Sequence, residues 1–237
     1  MEYNLGRFRL SDYDLTKFPG PGPGEYAPDF ELTGLDGSPV RLSSYRGRWL
    51  VIETASVSCM MYARNVDNIS LLQKKYPDVE WLVLYVREAH PGRSRPAHRD
   101  LAQKTNLAGA LKTDYGESRK VAVDSLDGDM HRALGNLPNM VYVLNPEGEI
   151  TYRCDWLSAP ELDRVLGQRP AVESNEHTLT DDLNYPSKWL TAKILWRSGI
   201  AAVWDFLRAA PYLTPTHRAA DNHYRQQRDN PPEDTGK

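Results

Sequence analysis

The run Trp49-Leu50-Val51-Ile52 and the residues after it constrain this chain most. Four consecutive large apolar residues, entered through the turn Ser43-Ser44-Tyr45-Arg46-Gly47, read as a strand buried on both faces. The chain then turns at Ser56-Val57-Ser58 and presents Cys59, and residues 62–75 predict a helix. A cysteine where a strand becomes a helix lies beside backbone N–H groups that have no partner within the helix. Their partial positive charge favours thiolate over thiol. The thiolate is the nucleophile, so this placement makes Cys59 a candidate reactive centre. The other reading is a small buried hydrophobe.

The remaining pattern alternates strands with helices. Residues 27–32 and 40–42 read as a strand pair around the turn signal Asp36-Gly37. After the cysteine loop come a strand at 79–86, a helix at 101–112, a short strand at 120–124 and a helix at 129–135 closed by Gly135. A strand at 140–144, a hairpin turn at Asn145–Gly148, its partner strand at 149–153 and a helix at 160–167 complete the unit. This predicts an α/β domain over residues 24–170, with a mixed sheet flanked by helices. Residues 1–23, which lead into a Pro-Gly-Pro-Gly stretch closing at Gly24, read as an arm lying on the domain or on a partner subunit. Residues 171–217 form a helical extension. There Ser187 is a candidate N-cap, and large apolar groups from Trp189 to Leu207 recur at helical spacing, are broken by Ser198-Gly199 and end at Pro211. This extension reads as helices packed on the domain, with a homodimer contact or a lid as sharper readings. A membrane-surface role ranks last, because few Lys or Arg flank it. Residues 218–237 are polar and read as disordered.

The opening at residues 24–49 and the cysteine loop resemble the redoxin and peroxiredoxin families of the thioredoxin-like superfamily. A Cys-x-x-Cys couple is absent, since Met60, Met61 and Tyr62 follow Cys59. Ser56 has the spacing of the hydroxyl residue that peroxiredoxins place three positions before their cysteine. A second resemblance is closer. Ala55-Ser56-Val57-Ser58-Cys59, Tyr85-Val-Arg-Glu88-Ala89-His90-Pro91 and Pro96-Ala-His98-Arg99 are similar to segments of the iodothyronine deiodinases, with Cys59 on the selenocysteine position. The tract from Ala133-Leu-Gly135 to Tyr142-Val-Leu also aligns, and the resemblance covers roughly residues 24–166. It implies a thioredoxin-like fold with N-terminal hairpin and C-terminal helical extensions. It further implies Cys59 as redox nucleophile and Glu88 with His90 as a proton-handling pair. Ser56 and Tyr85 would extend that hydrogen-bond network, and His98 would face the substrate. Pro138, ahead of the strand at 140, looks like the cis-proline of thioredoxin-like folds, with an ordinary trans proline as the alternative. The chain departs from the deiodinase pattern at Met60-Met61, where that family has prolines, at Trp156, near its substrate-clamping arginine, and in a shorter loop between His90 and His98.

The implied function is thiol-dependent reduction of a halogenated aromatic molecule or, as runner-up, of a peroxide. A redox-inactive binding module is a further alternative. Of the two cysteines, Cys154 is a candidate resolving thiol, although a core role is commoner for a strand cysteine. Without it an external thiol must regenerate the enzyme, and no bound cofactor is implied. The six histidines show no metal-ligand spacing. A net charge of −3 implies no general attraction to nucleic acid. The first 28 residues contain no apolar secretory core, and no apolar run is long enough to anchor the chain in a bilayer. A cytoplasmic protein is therefore expected.

Overall fold

In the computed structural model, which describes residues 3–171, 177–183 and 185–229, the run at 49–52 lies in an interior strand of a seven-stranded sheet, next to the central one. The strands are β1 (Leu32–Gly34), β2 (Pro39–Val40), β3 (Trp49–Ala55), β4 (Val79–Tyr85), β5 (Lys120–Val123), β6 (Met140–Leu144) and β7 (Ile150–Asp155). Their order across the sheet is β2-β1-β5-β4-β3-β6-β7. β3, β4 and β5 run parallel, and β1, β6 and β7 join antiparallel, so the predicted mixed sheet is found.

The two faces of the sheet have separate cores. Leu50, Ile52, Leu82, Leu84 and Tyr142 point to one side and meet Leu15 and Phe18 of the arm, Met130 and Leu134 of α4 (Asp129–Leu134) and Ala220 near the C-terminus. Val51, Trp81, Val141 and Val143 point to the other side. There they are covered by α2 (Val66–Lys75) and α5 (Ala159–Gln168). Beside them Val83 and Tyr85 pack with Ala108 and Leu111 of α3 (Leu101–Tyr115).

The single helix expected at 62–75 is two. α1 spans Met60–Ala63, and α2 follows after a break at Arg64-Asn65. Arg64 Nη2 and Asn65 Nδ2 each donate to the Leu157 carbonyl at 3.0 Å, and the Asn65 N–H bonds back only three residues, to Tyr62. Anchoring to the end of β7 breaks the register.

The arm lies on this chain's own domain. Arg153 donates to the carbonyls of Phe18, Gly20 and Pro21 at 2.9–3.0 Å and stacks 4.4 Å from the Phe18 ring. The Pro-Gly stretch is thus pinned, and Gly20, at φ +93°, passes too close to the Ala133 carbonyl to carry a side chain. At the start of the arm, the Tyr3 hydroxyl meets His131 Nδ1 at 2.8 Å. His131 Nε2 lies 2.7 Å from the Leu137 carbonyl, which can only accept, so Nε2 carries the hydrogen and Tyr3 donates to Nδ1.

This neutral, fully buried His131 titrates only near 3, because burial disfavours the imidazolium. Its folded pKa lies below its unfolded value, so its contribution to stability is present above about pH 6.5 and is lost as pH falls toward 3. Urea midpoints are expected to decline across that window, with His131 contributing up to about 1.4 kcal/mol per pH unit. His131→Gln keeps both hydrogen bonds and should flatten the decline; an unchanged slope would refute the assignment.

The C-terminal extension differs most from expectation. Ser187 caps α6 (Lys188–Ser198) by accepting from the Leu190 N–H, and Gly199 breaks the helix, both as the sequence predicts. The helix that follows, α7 (Ile200–Asp229), runs on through Pro211 and Pro215 instead of stopping. Each proline removes one hydrogen bond, but packing holds the far half. Ala220 is fully buried, and Asp221 meets His177 Nε2 at 2.9 Å. Residues 218–229, read from composition as disordered, are therefore helical. Residues 230–237 lie outside the described residues. Among the described residues no helix is long and apolar enough to cross a membrane.

Candidate active site

Cys59 is the N-cap of α1 and sits in extended backbone, with its N–H bonded to the Ser56 carbonyl at 3.1 Å. The N–H groups of Met61 and Tyr62 favour the thiolate, as a helix start provides, although the side chain makes no cap hydrogen bond. The side chain is only 2% exposed, however. Burial outweighs the N–H groups and pushes the thiol up to about 11. The resting group is therefore a thiol, opposite to the lowered pKa expected from position alone, which ignored the apolar roof over the site.

Two serines tie the cysteine loop to the loop after β4. Ser56 Oγ accepts the Ala89 N–H at 3.1 Å, and Ser58 Oγ accepts the His90 N–H at 2.9 Å. The Ser58 N–H in turn donates to Glu88 Oε2 at 2.8 Å. The Tyr85 hydroxyl donates to Glu88 Oε1. His98 Nε2 lies 3.7 Å from that same oxygen and 3.4 Å from the Tyr85 hydroxyl. Burial is the largest influence on Glu88 and pushes its carboxyl up. The neighbouring His98 imidazole and the hydrogen bonds from Ser58 and Tyr85 together outweigh it and hold the carboxyl below its ordinary value.

The histidine paired with Glu88 is thus His98, where the sequence pointed to His90. His98, for which the resemblance implied a substrate-facing role, is turned into this buried cluster and lies outside the wall of the cavity beside Cys59. Asn4 fixes its backbone by accepting the His98 N–H at 3.2 Å. His90 instead stands in the wall beside Cys59, with its ring 4.3 Å from that of Phe8 and 5.8 Å from that of Phe206. Burial pushes its pKa down to about 4, and its Nδ1 has no partner among the described residues.

Both residues open onto a cavity of about 870 Å³. Its walls come from three regions: Phe8, Leu10, Tyr13 and Leu15 of the arm, the Cys59 loop with Pro138 and Trp156, and α6 with α7. The lining is predominantly apolar and aromatic. Trp156 Nε1 is, like His90 Nδ1, buried without a partner. An apolar ligand carrying a hydrogen-bonding group suits such a wall. Pro138 reaches the wall as predicted, but its peptide bond is trans, since the described residues contain no cis bond. Trans is the intrinsically preferred isomer, and the preceding Leu137 carbonyl is held by His131.

Beneath α1 lies a buried ionic cluster that the sequence reading passed over. Arg119 donates to Glu53 at 2.6 Å and to Glu117 at 2.7 and 2.9 Å, and Tyr62 of α1 donates to the same Glu117. Asn139 joins Glu53 to the Leu157 N–H. Cys154 is elsewhere, fully buried on β7 opposite Val141 among residues under α5. Cys59 packs in a different cluster with Val57 and Val83. Both thiols are free, and burial pushes Cys154 up to about 12.

The architecture is that of the thioredoxin-like fold, here with one cysteine at the head of α1. No family model matches the chain, and no curated protein matches it. Solved structures do. A hypothetical protein from Sinorhizobium meliloti 1021 aligns over 68% of this chain and 92% of its own, with a TM-score of 0.53 at 12% identity. The thioredoxin domain of a thiol-disulfide oxidoreductase from Bacteroides vulgatus aligns over 62% and 97%, with a TM-score of 0.51 at 13% identity. A Chlorobium tepidum structure described as a thiol:disulfide interchange protein, DsbE, aligns over 63% and 96%, with a TM-score of 0.50 at 18% identity. At these identities the likeness establishes the fold.

Proposed function

We propose that this protein is a thiol-dependent oxidoreductase that reduces an aromatic halide at Cys59, using an external thiol in a reducing compartment such as the cytoplasm. The observation that carries this reading is the cavity. A lone cysteine at a helix start forms part of an apolar, aromatic-lined wall large enough for a ring system, with an unpartnered histidine nitrogen in the same wall. The resemblance of the Cys59, Glu88–His90 and His98 segments to the iodothyronine deiodinases supports it.

The chemistry balances with two external thiols. Sγ attacks the halogen, an S–X bond forms and the C–X bond breaks. The electron pair stays on carbon, which takes the proton that Sγ gives up. One external thiol displaces the halide as HX and leaves a mixed disulfide. A second thiol frees Cys59 and departs as the oxidised dimer. The N–H groups of Met61 and Tyr62 are placed to meet the charge that develops on sulfur. His90 is the wall residue able to hold the proton between sulfur and carbon, and Glu88, clamped by Tyr85 and His98, fixes the loop that carries His90.

The test is iodide release from an iodothyronine with excess dithiothreitol. Release should fall at least roughly 10³-fold in Cys59→Ser, because a hydroxyl is a hard, weak nucleophile. Equal release by the variant would refute a nucleophilic Cys59. No release by either protein would move the assignment to peroxide reduction at the same thiol.

A further inference from the structure

The roof of the cavity turns a second face outward. On α6, Trp189 and Trp196 lie seven residues apart; on α7, Ile200, Trp204 and Leu207 follow at four and three. These spacings put each set on one helical face. All five, with Tyr212, are between 57% and 78% exposed. Isolated exposed apolar residues need no explanation, but three indoles, a phenol and two aliphatic groups on adjoining helices form a patch.

The charge carried by these two helices beside the patch is mostly positive. Residues 188–215 contain Lys188, Lys193, Arg197 and Arg208 against a single acid, Asp205. Asp205 is turned inward onto Arg7. Arg197 is 3.2 Å from Asp114, while Lys188, Lys193 and Arg208 are exposed. In a chain of net charge −3 this face is locally positive. A second copy would press like charge against like, whereas an anionic surface meets opposite charge. Indole and phenol rings with a polar edge settle at lipid headgroup level, and lysines beside them reach the phosphates. The flanks are thin in basic residues when counted along the sequence; folding gathers those present onto the exposed side.

We propose that the α6–α7 face seats the protein on an anionic lipid bilayer, with the indoles among the headgroups and the basic residues at the phosphates. Trp189, Trp196 and Leu207 also line the cavity, so the seat and the cavity wall are continuous. An apolar molecule dissolved in the bilayer then approaches Cys59 without crossing bulk water. That delivery rests on the redox reading above; the seat itself does not.

Co-sedimentation of the full chain with vesicles of phosphatidylserine and phosphatidylcholine tests the seat independently of any activity. Binding is expected, with a blue shift of tryptophan emission, and it should weaken on adding salt or on using phosphatidylcholine alone. Lys188→Glu with Lys193→Glu should reduce binding roughly tenfold or more. Trp189→Ser, Trp196→Ser and Trp204→Ser together should abolish it, with an unchanged circular dichroism spectrum confirming the fold. Absence of binding by the unaltered chain would overturn the proposal. So would binding indifferent to phosphatidylserine, or a dimer in solution that the tryptophan variant dissolves while vesicles go unbound.

Discussion

Arg119→Met should cost roughly 3–5 kcal/mol of stability, read as a lower urea midpoint, because it removes one partner from a buried charge cluster and leaves the others uncompensated. Arg119 is 3% exposed, and its guanidinium faces Glu53 and Glu117. Burial lifts the Glu53 carboxyl above its ordinary value even with the guanidinium present, while Glu117 is held below its own. Without Arg119, Glu53 must take a proton to remain inside. The penalty thus belongs to the orphaned carboxylates, and adding Glu53→Gln should return part of the loss. A cost below about 1 kcal/mol for the single variant would contradict a buried, charge-bearing cluster. The cluster also governs where α1 sits, since Tyr62 is tied to Glu117.

The second large effect concerns the rate at which Cys59 is alkylated. With the thiol at about 11 instead of the ordinary 9, iodoacetamide at neutral pH should react roughly a hundredfold more slowly than with an exposed cysteine. The rate should rise about tenfold per pH unit and level off only near 11. Cys154, at about 12, should react later still. The same shifts fix the alkaline limit of stability. Both folded values lie above the unfolded one, so the contribution is complete below about pH 9 and is lost as pH rises through 11 and then 12. A plateau in alkylation at or below about pH 8 would mean that the helix N–H groups prevail over burial, reversing the balance described here.

That reversal illustrates what the sequence could and could not convey. The strand–cysteine–helix order, β6 at Met140–Leu144, the Ser187 cap and the break at Gly199 were legible, because periodicity and capping are local. The electrostatic state of Cys59 was not, because it depends on a roof built from both ends of the chain. The deiodinase resemblance implied that Glu88 and His90 pair, yet the fold brings His98 to the carboxylate and turns His90 to the cavity. Pro211 predicted a stop, but the contact between Asp221 and His177 carries the helix past it. Arg119 and Glu117 sit in a short segment before β5 that has no pattern of its own; only their burial beneath α1 gives them a role.

The cavity wall has a further consequence for how such a protein can change. The loops that leave β3 and β4 supply the sulfur and its braces, while Phe8, Tyr13, Trp189 and Phe206 come from segments remote from those strands in sequence. The cysteine and most of the wall around it are therefore separately encoded. The arm and the C-terminal helices can change, and the wall with them, while the strand that leads to the cysteine stays as it is.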